Sequence, residues 1–261
     1  MQNCSQHKRP LQTFSLKRLF PYAVIYLSQW RTSGSRGKIN RGPFASKVFK
    51  YYRPWKDSQA YAFSEGPIQN RVPWITFEAR DFLESRIRAD MTVFEFGAGG
   101  STLFFADRVQ RVVSVENDSI WAASMYRLLA NENNDNVDLR LVEGDALAEN
   151  EPAHPEDPAF CHSGSGNYSR FDFSRYVSVI DEFPDETFDI VFIDGRSRAA
   201  CLHRAIPKVR PGGIIVLDNS DRSYYTENMG PGLKNWEQHV FYGPIPYIEY
   251  FIETTCWVRP L

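Results

Sequence analysis

The run Glu95-Phe96-Gly97-Ala98-Gly99-Gly100-Ser101-Thr102 sets three glycines between a β-rich stretch (92–96) and an apolar stretch with helical spacing (101–109). Glycines at such a turn let the backbone reverse sharply and approach a ligand closely, and the start of the helix offers unpaired N–H groups. Nineteen residues after Gly97, the next apolar run ends at Glu116, where a carboxylate can accept hydrogen bonds from both hydroxyls of a ribose. Alone, a glycine turn is a tight connection and a loop acid is a solvated charge. At this spacing the two together predict a nucleoside site built from Glu95, Phe96, Gly97, Ala98, Gly99, Ser101, Thr102, Glu116 and Asn117. A nicotinamide dinucleotide would favour glycine where Thr102 stands, and no segment large enough for a dehydrogenase substrate domain follows.

A second set of charged residues stands at the ends of two later apolar runs. Asp194 follows 188–193, and Asp218-Asn219 follows 213–217. Ligands of open α/β sheets sit beyond the carboxyl ends of the strands, so these residues should flank a reaction centre, with Asp194, Asp218 and Arg196 as candidate catalytic groups. Arg196, Arg198 and Arg222 could bind a carboxylate, phosphate or acidic sugar of a substrate, or could pair with nearby acids such as Asp221 or Asp194. His154, Cys161 and His162 lie in loop-like sequence without a second cysteine, so a zinc site is not expected there.

The elements that must carry these groups alternate. Strands are predicted at 92–96, 111–115, 137–142, 188–193 and 213–217, and helices at 75–83, 101–109, 120–130, 171–183 and 199–209. Near-continuous apolar runs suit parallel strands covered on both faces. Residues 149–170, rich in Pro, Gly and Ser, read as a loop within an insertion spanning 149–175. At the end, 239–242 and 249–257 are strand-like with no helix between them, which predicts a closing antiparallel pair. The fold class is therefore α/β: a doubly wound, mainly parallel seven-stranded sheet with an antiparallel C-terminal strand pair and a basic N-terminal extension.

The ordered motifs resemble those of class I S-adenosylmethionine-dependent methyltransferases. Glu95-x-Gly97-x-Gly99 resembles their first motif and Glu116 their ribose acid. Gly144-Asp145-Ala146 is similar to the element that reads the adenine amino group. The run 188–194 resembles their fourth-strand motif, and Pro211-Gly212-Gly213 the turn before their fifth strand. The resemblance covers about residues 74–257. It implies S-adenosyl-L-methionine as cofactor, with Gly144, Asp145, Ala146 and Asp194 added to the binding residues. Pro73-Trp74-Ile75-Thr76, Ile193-Asp194-Gly195-Arg196, Leu217-Asp218-Asn219-Ser220-Asp221-Arg222 and Phe241-Tyr242-Gly243-Pro244 are similar to a narrower methyltransferase-like group, which implies fold and cofactor and leaves the acceptor open.

Metal-dependent O-methyltransferases of the catechol type place Asp after the fourth strand and Asp-Asn after the fifth. Asp194, Asp218 and Asn219 match that arrangement and would hold Mg²⁺ through oxygen ligands. Ser197 stands where those enzymes carry a lysine. In the alternative, Asp194 serves the methionine or acceptor end, while Asp218 and Asn219 cap the segment that follows. The expected activity is methyl transfer to a small-molecule, glycan or lipid-linked acceptor, most simply at a hydroxyl. A cofactor-binding scaffold and an aminopropyltransferase-like enzyme are the alternatives, although the basic Gly195-Arg196-Ser197-Arg198 suits a cationic polyamine poorly.

Composition bounds the rest. The chain has 261 residues with formal net charge −2, enough for one α/β domain. Residues 1–56 hold twelve Lys and Arg and no acid, leaving eighteen basic and thirty-two acidic residues in 57–261. We therefore divide the chain into a basic arm (1–56) and a methyltransferase domain (57–261). The arm predicts contact with an anionic membrane face, or docking on the acidic body. Its apolar run 19–27, interrupted by Pro21, is too short to span a bilayer, and it carries no specific nucleic-acid motif. Cys4, Cys161, Cys201 and Cys256 are far apart, which points to a reducing compartment such as the cytoplasm, with peripheral membrane contact as a variant.

Overall fold

The structure is a computed structural model that describes residue 20 and residues 22–24, 44–62, 65–164 and 166–261, without the side chains of 44–48, 230 and 231. Its centre is a seven-stranded sheet in the order β3-β2-β1-β6-β7-β9-β8. The strands are β1 (Thr92–Phe96), β2 (Arg111–Glu116), β3 (Val137–Leu141), β6 (Phe188–Ile193), β7 (Val209–Asp218), β8 (Glu237–Pro244) and β9 (Phe251–Val258). Strands β3 to β7 along this order run parallel, whereas β9 is antiparallel to both β7 and β8. The chain leaves β1 towards β2 on one side and returns to β6 on the other, so a crevice opens above the carboxyl ends of β1 and β6.

Period-two alternation decides which side chains face which layer. Phe94, Phe96, Val113, Val115, Val191, Ile193, Ile215 and Leu217 point into one core. This core is covered by α6 (Ser174–Ser178), a 3-10 turn at Val179–Glu182 and α7 (Arg198–Lys208). The intervening Val93, Val112, Ile190, Phe192, Ile214 and Val216 point into the other core, under α3 (Phe77–Glu84) and α4 (Gly100–Ala106). Strand β6 is buried along its whole length, which is why its sequence reads as an uninterrupted apolar run. α5 (Ser119–Glu132) completes the βαβ alternation between β2 and β3.

The segment 171–183 is not one helix. Phe171–Asp172 forms β5, an antiparallel partner of β4 (Asp145–Ala146), and helix begins only at Ser174. The ribbon β4-β5 closes the long loop: Arg170 donates to the carbonyls of Ala148 and Glu149, and the Phe173 amide donates to the Cys161 carbonyl at 2.7 Å. His162 is anchored by accepting at Nδ1 from the His154 amide (3.0 Å).

Most of the basic arm lies outside the described residues. What is described docks on the body. α1 (Phe44–Ser58) runs across the position 56/57 division. Its Tyr51, Tyr52 and Trp55 are buried with Tyr22, Phe77 and Phe251. The Tyr22 ring lies 4.9 Å from Trp55 and 5.5 Å from Phe251. Trp55 Nε1 also donates to the Ile248 carbonyl at 2.8 Å. α2 (Gly66–Asn70) follows and packs on α4. Among the described residues, no helix is long and apolar enough to cross a membrane.

Candidate cofactor and acceptor site

At the end of β1 the backbone turns at Gly97 with φ +98°, a conformation that disfavours any side chain, and a Cβ there would lie 2.9 Å from the Gly195 backbone. The Gly97 amide donates to the Val115 carbonyl and the Asp194 amide to the Phe96 carbonyl, so the turns after β1, β2 and β6 are locked side by side. Glu95 supports this turn from behind. It is fully buried, and its parallel partner in β2 is Ser114. Its carboxyl accepts from Ser114 Oγ (2.7 Å) and from Thr102 Oγ1 (2.6 Å), while Thr102 Oγ1 accepts from the Gly99 amide (2.9 Å). Burial pushes the Glu95 carboxyl up to about 7.

Glu116 stands on the opposite wall. Its carboxylate accepts from the amides of Ala98 (3.0 Å), Asn117 (2.7 Å) and Asp118 (2.8 Å). A carboxylate offers about four acceptor positions, so these three bonds fix its orientation and leave capacity for a ligand. Burial raises its pKa, and the three backbone donors oppose that rise. Between these walls lies a cavity of about 310 Å³, within the range of small-ligand sites. Its lining includes Gly97, Ala98, Gly99, Ser101, Glu116, Asn117 and Asp194, seven of the cofactor residues that the sequence singles out. Asn117 is 7% exposed, and its Nδ2 has no hydrogen-bond partner in the protein, which leaves a buried donor for a ligand.

The other expected cofactor residues are placed elsewhere. Glu95, Phe96 and Thr102 lie beneath the turn and act through it. Gly144, Asp145 and Ala146 belong to the β4 ribbon, and Asp145 is tied to Arg175 at 2.9 Å, with both side chains 64% exposed. The cavity gains Pro67, Trp74, Gly100, Asp118 and Trp121. Trp121 was legible only in part: it sits one turn into the helix after the ribose acid, capped by Asp118, but its pose depends on Nε1 donating to the Ala98 carbonyl at 2.7 Å. Tyr168, from the insertion, donates to Asp118 Oδ2 (3.2 Å) and carries the Arg196 guanidinium over its ring at 4.2 Å.

The residues expected to hold a metal are held by an arginine instead. Arg198 Nη2 lies 2.8 Å from Asp194 Oδ1, and Nη1 lies 3.6 Å from Asp218 Oδ2. The same guanidinium donates to the carbonyls of Gly195 (3.1 Å), Asp194 (2.9 Å) and Asp218 (2.5 Å). It therefore clamps the ends of β6 and β7. A cation already sits between the two carboxylates, and the Asn219 backbone adopts the left-handed region at φ 51°. Asp194, Asp218 and Asn219 do not fit Mg²⁺, and among the described residues no cluster of three or more His, Cys, Asp and Glu stands ready for a metal.

Asp218 does not line the cavity. It is 3% exposed, and its Oδ1 accepts from Thr254 Oγ1 at 2.8 Å, as the β7–β9 register dictates. Burial and the neighbouring Asp194 charge push its carboxyl up to about 8. Asp194 and Arg196 do line the cofactor cavity. Burial raises the Asp194 pKa, against the lowering effect of Arg198 and Arg196.

Residues 94–220 match the family model described as "Methyltransferase domain". Among solved structures, the chain is similar to a precorrin-6y C5,15-methyltransferase from Geobacter metallireducens GS-15 (17% identity, TM-score 0.46, covering 70% of this chain and 88% of that one). It is also similar to a methyltransferase from Geobacter sulfurreducens (14% identity, TM-score 0.46, 90% and 96%). A third similar structure is a SAM-dependent O-methyltransferase from Thermotoga maritima (11% identity, TM-score 0.45, 72% and 66%). No curated protein matches the chain. The glycine turn, the strand order and the matched family together identify the chain as a class I, Rossmann-like S-adenosylmethionine-dependent methyltransferase.

Proposed function

We propose that the chain transfers a methyl group to a hydroxyl of a small-molecule, glycan or lipid-linked acceptor held beyond the ends of β6 and β7, without a metal. One observation carries this reading: the glycine turn, Glu116 and Asp194 converge on a single cavity. In it, Glu116 would accept from the ribose hydroxyls, Asn117 Nδ2 and Trp121 would flank the adenosine, and Asp194 with Gly97 would border the methionine end. Bound there, S-adenosylmethionine would supply a methyl group activated by its positively charged sulfur. The chain's own task is to hold the acceptor oxygen in line and to receive its proton. Asp194 borders the cavity at the end of β6, its basicity is raised by burial, and Arg198 fixes its position. Activity should accordingly fall on the acid side at a higher pH than an ordinary carboxylate would dictate.

Calorimetric titration with S-adenosylmethionine, S-adenosylhomocysteine and NAD tests the cofactor half of the reading. Micromolar binding of the two S-adenosyl ligands alone, weakened at least tenfold by Glu116→Ala, is expected. Equal binding by the variant would remove Glu116 from the site. The acceptor half is tested by S-adenosylhomocysteine release across panels of hydroxyl and amine acceptors.

A further inference from the structure

Tyr168 belongs to the insertion, yet it touches both walls of the cofactor cleft. Its hydroxyl donates to Asp118 Oδ2 at 3.2 Å, and its ring carries the Arg196 guanidinium at 4.2 Å. Asp118 follows β2 and Arg196 follows β6, and both line the cofactor cavity, while Tyr168 packs on the core beside them. The ring is backed by Phe171 and Phe173, at 6.1 and 6.3 Å between centroids. Phe173 in turn packs at 5.9 Å on Tyr176, and Tyr176 at 5.5 Å on Phe96 at the end of β1. The Tyr176 hydroxyl fills the space that a Cβ on Gly195 would need. A row of aromatic rings therefore runs under the turns after β1 and β6 and ends at Tyr168.

Asp118 carries this support into the ligand wall. Its Oδ2 takes Tyr168, while its Oδ1 caps α5 by accepting from the Trp121 amide at 2.9 Å. The Asp118 amide also donates to Glu116 at 2.8 Å. One carboxylate thus orients an indole that lines the cleft and steadies the backbone beside Glu116. On the other wall, the Tyr168 ring restricts the swing of Arg196, a long side chain with much rotamer freedom to lose. The Arg196 charge reaches both sides: burial raises the Glu116 and Asp194 carboxyls, and Arg196 is among the groups that counter the rise. A ligand binds more tightly when such wall groups are already ordered before it arrives.

We propose that Tyr168 is a positioning residue of the cofactor site: it holds Asp118 and Arg196 in place from the insertion, and bound cofactor steadies the insertion in return. The proposal rests on the cofactor reading above. Its second half follows from linkage, because contacts that raise ligand affinity by some factor are themselves strengthened by the ligand by the same factor.

S-adenosylhomocysteine would be titrated calorimetrically into the full chain and its Tyr168→Phe and Tyr168→Leu variants. Amide hydrogen exchange would be followed with and without ligand at Leu147 and Phe173, whose amides close the insertion on the Arg170 and Cys161 carbonyls. Tyr168→Phe keeps the ring under Arg196 and loses the bond to Asp118, so affinity should fall about fivefold. Tyr168→Leu loses both contacts, and affinity should fall about twentyfold. Ligand should slow exchange of the two amides in the wild type, and less so in both variants. A Tyr168 that only packs the insertion would lower the unfolding midpoint and leave affinity and ligand-induced protection as in the wild type, which overturns the proposal. Should Tyr168→Leu loosen the insertion outright, seen as fast exchange without ligand, Tyr168→Phe decides: unchanged affinity there overturns the proposal. Failure of the wild type to bind S-adenosylhomocysteine overturns the cofactor reading and this inference with it, whereas wild-type binding that neither variant weakens overturns this inference alone.

Discussion

Replacing Arg198 by methionine leaves Asp194 and Asp218 facing one another without the cation between them. The arginine side chain is 9% exposed, and those of Asp218 and Asp194 are 4% and 23% exposed. Removing one partner of a buried ionic group costs about 3–5 kcal/mol, because the remaining charge has lost its compensation. Here two carboxylates and three strand-end carbonyls lose their donor together. At about 2–4 °C per kcal/mol for a chain near this size, the unfolding midpoint should drop by roughly 6–20 °C. The variant can relieve part of this by taking up a proton. Asp218 already has its folded-state pKa raised to about 8 from 3.8, and losing Arg198, which lowers it, raises it further. A carboxyl whose folded pKa is raised contributes stability at low pH that is lost as pH rises through the folded value. The deficit of Arg198→Met relative to wild type should therefore widen between pH 6 and pH 9, in urea titrations at each pH. Millimolar Mg²⁺ should raise the variant's midpoint, since it can now occupy the carboxylate pair, and should leave the wild type's midpoint and its EDTA-treated activity unchanged. A deficit under about 1 kcal/mol with no pH dependence, or Mg²⁺ stabilisation of the wild type, would refute the clamp.

Three further perturbations separate the parts of the site. Gly97→Ala forces a side chain into positive φ and against the Gly195 backbone; it should cost about 1–3 kcal/mol in denaturant titration and abolish calorimetric cofactor binding. Glu95→Gln keeps the acceptor for Thr102 and Ser114 but removes a carboxyl whose pKa rises from 4.5 to about 7 on folding. Since that carboxyl contributes stability below pH 4.5 that is lost through pH 7, the variant should show a flatter stability profile in that window and a higher midpoint above it. The basic segment 1–56 and the exposed Phe20 (74%) and Phe49 (68%) support binding to anionic vesicles; co-sedimentation with phosphatidylserine vesicles that falls with salt is expected, and equal sedimentation with neutral vesicles would end the idea.

The strand–helix alternation and the two-sided core were legible because the signal was local. The run 188–193 could only be a strand buried on both faces, and the absence of a helix between 239–242 and 249–257 announced the antiparallel closure. The nucleoside wall was legible for the same reason: turn, spacing and acid lie within one βαβ unit. Partnership across the sheet was not legible. Whether Asp194 and Asp218 hold a metal or an arginine depends on where a side chain four residues further along α7 reaches, and sequence spacing gives Arg198 no more claim than Arg196. Likewise Pro67 and Trp121 enter the cavity through packing of α2 on α4 and an indole bond to Ala98. The failed helix at 171–183 has the same origin, since the pairing of β5 with β4 overrides a helix-compatible pattern.

Two kinds of charged residue therefore meet at the strand ends, and stability and binding measurements should part them. Glu95, Asp218 and Arg198 face no solvent and bond to hydroxyls or to main-chain carbonyls. Changing them alters what the turns rest on, so ligand affinity should fall only together with stability. Glu116 and Arg196 border the cofactor cavity, where a neutral replacement meets water in the free protein, so their loss should leave the unfolding midpoint nearly where it was and appear in ligand affinity. Asp194 borders it too but also pairs with the buried Arg198, so its loss should lower stability and affinity together. Glu116 is the stringent case, because its carboxylate also gathers three backbone amides. Glu116→Gln keeps an acceptor oxygen for some of those amides but puts an NH₂ group towards the others, so a modest midpoint loss with a much larger affinity loss is the signature of a residue that serves both turn and ligand.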